Sequence, residues 1–164
     1  MGAGFIWISL ICLGLTCAHN LSVRSTLLEK TKILIQQMII ETNYLNLPLY
    51  ELLLKLNNLS QFNEFDFIVL CFEYIEAGFD FPIAWKKAIE NSALKYKSAE
   101  KEKLLLLGEQ IGKTDLDGTI KILKMYELYF DEFSKTAKTN FDKYGRLSVV
   151  TGALVGCMLF ISII

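Results

Sequence analysis

Hydrophobic and polar positions divide this chain into three blocks. Gly2 to Ala18 (GAGFIWISLICLGLTCA) is apolar and uncharged, and so is Leu147 to Ile164 (LSVVTGALVGCMLFISII). Every Lys, Arg, Asp and Glu lies between them. A bilayer core of about 30 Å takes about 17 to 25 helical residues to cross. Each run is just long enough. The pattern predicts a transmembrane anchor over 2–19, a helical domain over 21–145, and a second transmembrane helix over 147–164.

Within the charged block the apolar period is that of a helix throughout, so the fold class expected is all-α. From Leu21 to about Tyr44, Leu27, Leu34, Met38 and Leu45 fall on one line, with Leu28, Ile35 and Ile39 beside it. Asn46 and Pro48 interrupt that helix, and a short one (LYELLLKLNNL) runs to about Leu59. Asn58 and Ser60 offer capping oxygens to a third, Gln61 to Ala77. Its expected face is Phe62, Phe65, Val69, Phe72 and Glu76, with Phe67, Leu70 and Tyr74 adjacent. Gly78 suits the left-handed end of a helix, and Pro82 suits the first turn of the next. That next helix should pack through Ile83, Trp85, Ala88 and Ile89.

A fifth helix starts at Ser98, with Glu100 and Glu102 near its positive end, and stops near Gly112. Thr114 with Asp117 resembles a capping box opening the last helix. Leu116, Ile120, Leu123, Phe130, Ala137, Phe141 and Tyr144 recur along it at close to heptad spacing, and Gly145 is where it should loosen. About six helices joined by short connections make a compact bundle.

Charge adds orientation. Arg24, Lys30 and Lys32 follow the first apolar run, and Lys135, Lys138, Lys143 and Arg146 precede the second. Basic flanks stay in the cytoplasm, so the central domain is expected there. The alternative is a secreted helical protein with a cleaved signal peptide, for which Thr16 and Ala18 supply a small-x-small site. The first run has no Lys or Arg before it, which favours the anchor.

Candidate chemistry is sparse. His19 is the only histidine, so neither a His-based metal site nor a Ser-His or Cys-His pair is expected. No catalytic, cofactor-binding or metal-binding residue and no cofactor is assigned. The glycines form no phosphate loop. A net charge of −1 with both signs interspersed argues against nucleic acid. The four cysteines form no CxxC pair and suit buried positions. The acids of KSAEKEK, from Lys97, and the Glu73/Glu76 pair are those of solvated helix faces. No small-molecule substrate is expected.

Two features point to partners instead. Ser148, Gly152 and Gly156 form a small-residue ladder that lets another membrane helix approach closely. The turn LGEQIGKTDLDG, Leu107 to Gly118, gathers Glu109, Gly112, Thr114 and Asp115 at one helix junction, as a cap and tight turn or as a partner-binding loop.

Four stretches in order carry a resemblance: ETNYLNLPLYELL from Glu41, FPIAWKKAI from Phe81, KSAEKEKLLLLGEQIGKTD from Lys97, and the following KILKMYE. With them the whole chain resembles the stage III sporulation protein AB family of endospore-forming Firmicutes. Where that family usually has Gln after the Asp, this chain has Thr119, so a role resting on the Gln does not carry over. The resemblance implies a non-enzymatic membrane platform in the mother-cell membrane around the forespore, part of a channel or secretion-like complex. It implies similarity to the cytoplasmic domains of type II secretion and type IV pilus platform proteins. The partners implied are the secretion-type ATPase of the set (stage III sporulation protein AA), other membrane subunits and the lipid bilayer. Without the resemblance, the residues alone describe a membrane-tethered helical adaptor or receptor.

Overall fold

The computed structural model describes residues 2–45, 49–111, 113–145, 147, 150–151 and 154, with side chains from residue 15 onward except at 17 and 45. Among these residues there are six α-helices and no strand: α1 Gly2–Leu45, α2 Leu49–Asn58, α3 Asp66–Glu76, α4 Phe81–Asn91, α5 Ser98–Ile111 and α6 Leu116–Asn140. The fold is an all-helical bundle.

The chain divides into two compact units, Lys30–Asp131 and Met1–Glu29 with Glu132–Ile164. In the first, α2 packs on α3, α3 on α4, and α4 on α5. Its core runs through Leu34, Ile35, Met38, Leu53, Leu104 and Phe130. A chain of rings crosses it: Phe65 and Phe67 have centroids 5.5 Å apart, and Phe67 and Trp85 meet in a T-shaped pair at 5.4 Å. Such pairs add about 0.5–1.5 kcal/mol each beyond the area they bury. Polar ties fix α1 among its neighbours. Lys32 bonds Asp131 at 2.7 Å, Gln36 donates to Glu127 at 2.7 Å, and Thr31 meets the Tyr96 hydroxyl at 2.8 Å.

In the second unit, α6 gives way after Asn140 to a π turn, Phe141–Gly145. The turn falls where Gly145 was expected to loosen the helix. A Cβ on Gly145 would lie 3.1 Å from the Phe141 ring, so the bare glycine lets that ring fold back over the turn.

Several expectations are corrected. The first helix does not begin at Leu21; α1 is one helix from Gly2, because neither Pro nor Gly separates Ala18 from Leu21. The third helix starts at Asp66, not Gln61. Ser60–Phe62 is instead a separate 3-10 turn, and neither element has a side-chain cap from Asn58 or Ser60. The Asp66 carboxylate is already engaged, accepting the Ser92 hydroxyl and the Ala93 N–H (2.6 Å). This break shifts the helix phase. Phe67, Ile68 and Cys71 turn inward and Val69 outward.

On α4, Trp85, Ala88 and Ile89 are buried, but Ile83 is 48% exposed. Residues two apart stand about 200° apart around a helix, so Ile83 and Trp85 cannot share a face. On α6, Leu123, Tyr126, Phe130 and Ala137 are buried, whereas Leu116 and Tyr144 are exposed. Leu116 is the first residue after the cap, and Tyr144 sits in the π turn, where the period changes.

Among the described residues no helix is long and apolar enough to cross a membrane. The side chains of 2–14 and most of 147–164, which hold the two apolar runs, lie outside the described residues, as do Asn46, Pro48, Gly112, Ser148, Gly152 and Gly156.

Candidate functional site

The junction between α5 and α6 is built from local hydrogen bonding. Glu100 is the third residue of α5, and its Oε2 accepts the Lys97 N–H at 2.8 Å. This is the reciprocal half of a capping box. It explains why Glu100 is buried, contrary to the solvated face expected for KSAEKEK. At the far end, the Lys113 N–H bonds the Gln110 carbonyl at 3.2 Å.

Asp115, not Thr114, then caps α6. Its Oδ1 accepts the Gly118 N–H at 2.9 Å, and its carbonyl accepts the Thr119 N–H at 2.8 Å. A cap must stand directly before the first helical residue, and Asp115 precedes Leu116. Thr114 supports the cap by donating to Asp115 Oδ1 at 3.3 Å. The third position of α6 is Gly118, so Asp117 closes no box. A Cβ on Gly118 would lie 2.1 Å from Thr114 Oγ1, so glycine makes room for this arrangement.

The seam between α4 and α5 holds the junction in place. Trp85 is 1% exposed, and its Nε1–H donates to the Leu104 carbonyl at 2.7 Å. The indole lies against the backbone of α5 where Gly108 has no side chain. A Cβ there would fall 2.0 Å from Trp85 Cδ1. Across the other flank, Lys103 Nζ sits 4.2 Å from the centre of the Tyr129 ring on α6.

Three hollows meet around this segment. A groove of about 830 Å³ runs between α4 and α5, floored by Ile83, Leu105 and Leu106 and walled in part by Glu90, Glu102 and Glu109. One of about 410 Å³ between α5 and α6 shares Leu106 and Glu109 and reaches Thr114. A third of about 250 Å³ is lined by Thr42, Thr114, Asp115 and Thr119. Thr119, which stands where the resemblance leads one to expect Gln, is buried here. The predicted residues Glu109, Thr114 and Asp115 are thus brought together at one exposed junction.

Glu109 is exposed and pairs with Lys113 at 2.7 Å. That bond, with the charge of Lys113 and a smaller contribution from Lys86, holds its carboxyl below the usual range. An exposed pair one helical turn apart adds little stability.

A polar group that the pattern did not single out is Glu41, 5% exposed near the end of α1. It accepts Gln37 Nε2 at 2.6 Å and Lys55 Nζ at 2.5 Å. The Lys55 bond leads in lowering its pKa, against the opposing cost of burial. The only sequence signal was the Gln37–Glu41 spacing beside an apolar line. Cys71 is fully buried, which pushes its thiol up to about 12. Glu73 and Glu76 are both exposed. Among the described residues no group of three or more His, Cys, Asp or Glu is placed to hold a metal ion.

The family model for stage III sporulation protein AB matches residues 1–164. The chain belongs to that family. No curated protein and no solved structure matches it. Two of the stretches that resemble this sporulation family, Phe81–Ile89 and Lys97–Asp115, are the two sides of the Trp85–Gly108 seam and the junction beyond it.

Proposed function

We propose that this chain is a non-catalytic membrane platform of the stage III sporulation complex, held by its apolar ends and meeting the AA ATPase through the α5–α6 junction. The observation that carries this is the junction itself. Glu109, Thr114 and Asp115 stand exposed on a rigidly seated helix end where the hollows converge. Exposed polar residues on a fixed scaffold are the usual material of a recognition surface. In this account the ends at 2–19 and 147–164 cross the mother-cell membrane, the central domain faces the cytoplasm, and the Ser148, Gly152, Gly156 ladder packs on another membrane helix.

Capture of the AA ATPase by the tagged full-length chain from sporulating cells tests the partner. The account expects capture by the native chain and loss with Glu109→Lys. Equal capture by both would remove Glu109 from the contact. Isoleucine at Gly152 and Gly156 should spare capture and abolish assembly in the membrane. For orientation, a cysteine introduced at the exposed Lys95 should resist an impermeant thiol reagent in intact cells and react after lysis. Reaction in intact cells contradicts a cytoplasmic domain.

A further inference from the structure

The same unit carries a groove and a ridge that match in chemistry and in spacing. The groove is the valley between α4 and α5, open over Ile83, Leu105 and Leu106. At one end stand Glu90 from α4 and Glu102 from α5, both exposed; of the three lysines that also line the valley, Lys113 pairs with Glu109, Lys87 lies over the Phe79 ring, and Lys86 stands one turn before Glu90. Neither Glu90 nor Glu102 has an ion-pair partner among the described residues. The ridge is the outer face of α6. There Leu128 is 71% exposed and Met125 40%, preceded by exposed Lys121 and Lys124, which also lack ion-pair partners among the described residues. Leu128 and Met125 thus offer an apolar contact flanked by two ammonium groups.

The spacings agree. Ile83 and Glu90 are seven residues apart on α4, and Leu128 and Lys121 are seven apart on α6; each interval is about 10.5 Å and returns to nearly the same face. Glu102 and Leu106 are four apart on α5, as are Lys124 and Leu128 on α6. A helix laid in the groove parallel to α5 and antiparallel to α4 would therefore place Leu128 over Ile83 and Leu106, with Lys121 near Glu90 and Lys124 near Glu102.

We propose that this chain self-associates head to tail, the α6 ridge of one copy seating in the α4–α5 groove of the next. Such an interface is heterologous: each copy offers the ridge to one neighbour and the groove to another. Repetition gives a ring if the rotation closes and an open array if it does not. The two carboxylates facing two ammonium groups set direction and register, and the leucine and methionine supply the buried contact. The association does not depend on the ATPase contact.

Disulfide cross-linking in membranes from cells co-expressing two differently tagged full-length copies tests this. All four native cysteines are first replaced by alanine. A copy with Leu128→Cys and a copy with Ile83→Cys should cross-link at least about tenfold faster than Leu128→Cys with itself, because only a seated pair holds the thiols at high effective concentration. Adding Lys121→Glu and Lys124→Glu to the Leu128→Cys copy should abolish the product. Adding Glu90→Lys and Glu102→Lys to the Ile83→Cys copy should restore it, a rescue that misfolding would not produce. No excess over an Ile83→Cys and Lys95→Cys control, faster cross-linking of Leu128→Cys with itself, or no rescue would each overturn the proposal.

Discussion

Gly108 and Glu109 are neighbours on α5 and meet opposite surroundings. Gly108 is buried against the indole of Trp85 and has no space for a methyl group. Glu109 projects into solvent between two grooves and pairs with Lys113 one turn on. One residue sets how closely α4 and α5 approach; its neighbour lies on the surface that their approach creates. Close packing and the proposed recognition thus fall on adjacent positions of a single helix, on faces about 100° apart.

The largest expected effect strikes the rigid side. Trp85→Ala should lower stability by about 3–5 kcal/mol, since it empties a fully buried site. Gly108→Ala should cost about 1–3 kcal/mol through overpacking. Made together, the two changes should cost clearly less than their sum, because the added methyl group then has no indole to meet. Denaturant melts of the full-length chain in detergent read all three. Additive costs would mean that Gly108 is needed for something other than the tryptophan.

A second effect belongs to Glu41. Its folded pKa lies below the ordinary 4.5, chiefly through the bond to Lys55. The stabilisation is therefore present above the unfolded pKa and is lost as pH falls through the folded one. Stability should drop below about pH 4.5, and Lys55→Met should be less stable than the native chain at pH 7 while showing a shallower acid fall. Parallel acid profiles for the two chains would show that the pair does not control the transition.

Smaller still is the cap. Asp115→Ala should cost about 1 kcal/mol, and Thr114→Ala less, because the aspartate alone accepts from the helix N–H. The reverse order in thermal melts would restore Thr114 as the capping residue. At the bottom, Glu109→Lys should change stability by no more than about 0.5 kcal/mol, as expected for an exposed site.

Much of this arrangement was legible in the sequence, and the misses have physical causes. Periodicity located all six helices and most of the buried positions, since burial of one face is what helical spacing records. It misjudged Ile83, which stands two residues from Trp85 and so cannot share its face, and Val69, because α3 begins later than the pattern suggested. The start of α3 depends on a tertiary bond from Asp66 to Ser92 and Ala93 that no local pattern reveals. Glu100 read as a surface acid, yet it is buried and accepts a backward cap from the Lys97 N–H; Glu41, which no pattern singled out, is buried and paired with Lys55 from α2. At the junction, composition alone gathered Glu109, Thr114 and Asp115, but it assigned the cap one residue early. Thr and Asp are both good caps, and only the helix start chooses between them. Gly108 passed unnoticed as one of several scattered glycines, since its partner Trp85 is 23 positions away in the chain.

The most direct test compares the two neighbours in one experiment. Full-length chains carrying Gly108→Ala or Glu109→Lys are melted and, in parallel, used to capture the AA ATPase from sporulating cells at a temperature where both remain folded. The account predicts that Gly108→Ala melts early yet still captures the ATPase while folded, and that Glu109→Lys melts with the native chain and fails to capture it. Normal capture by Glu109→Lys would leave the α5–α6 junction as a turn and nothing more.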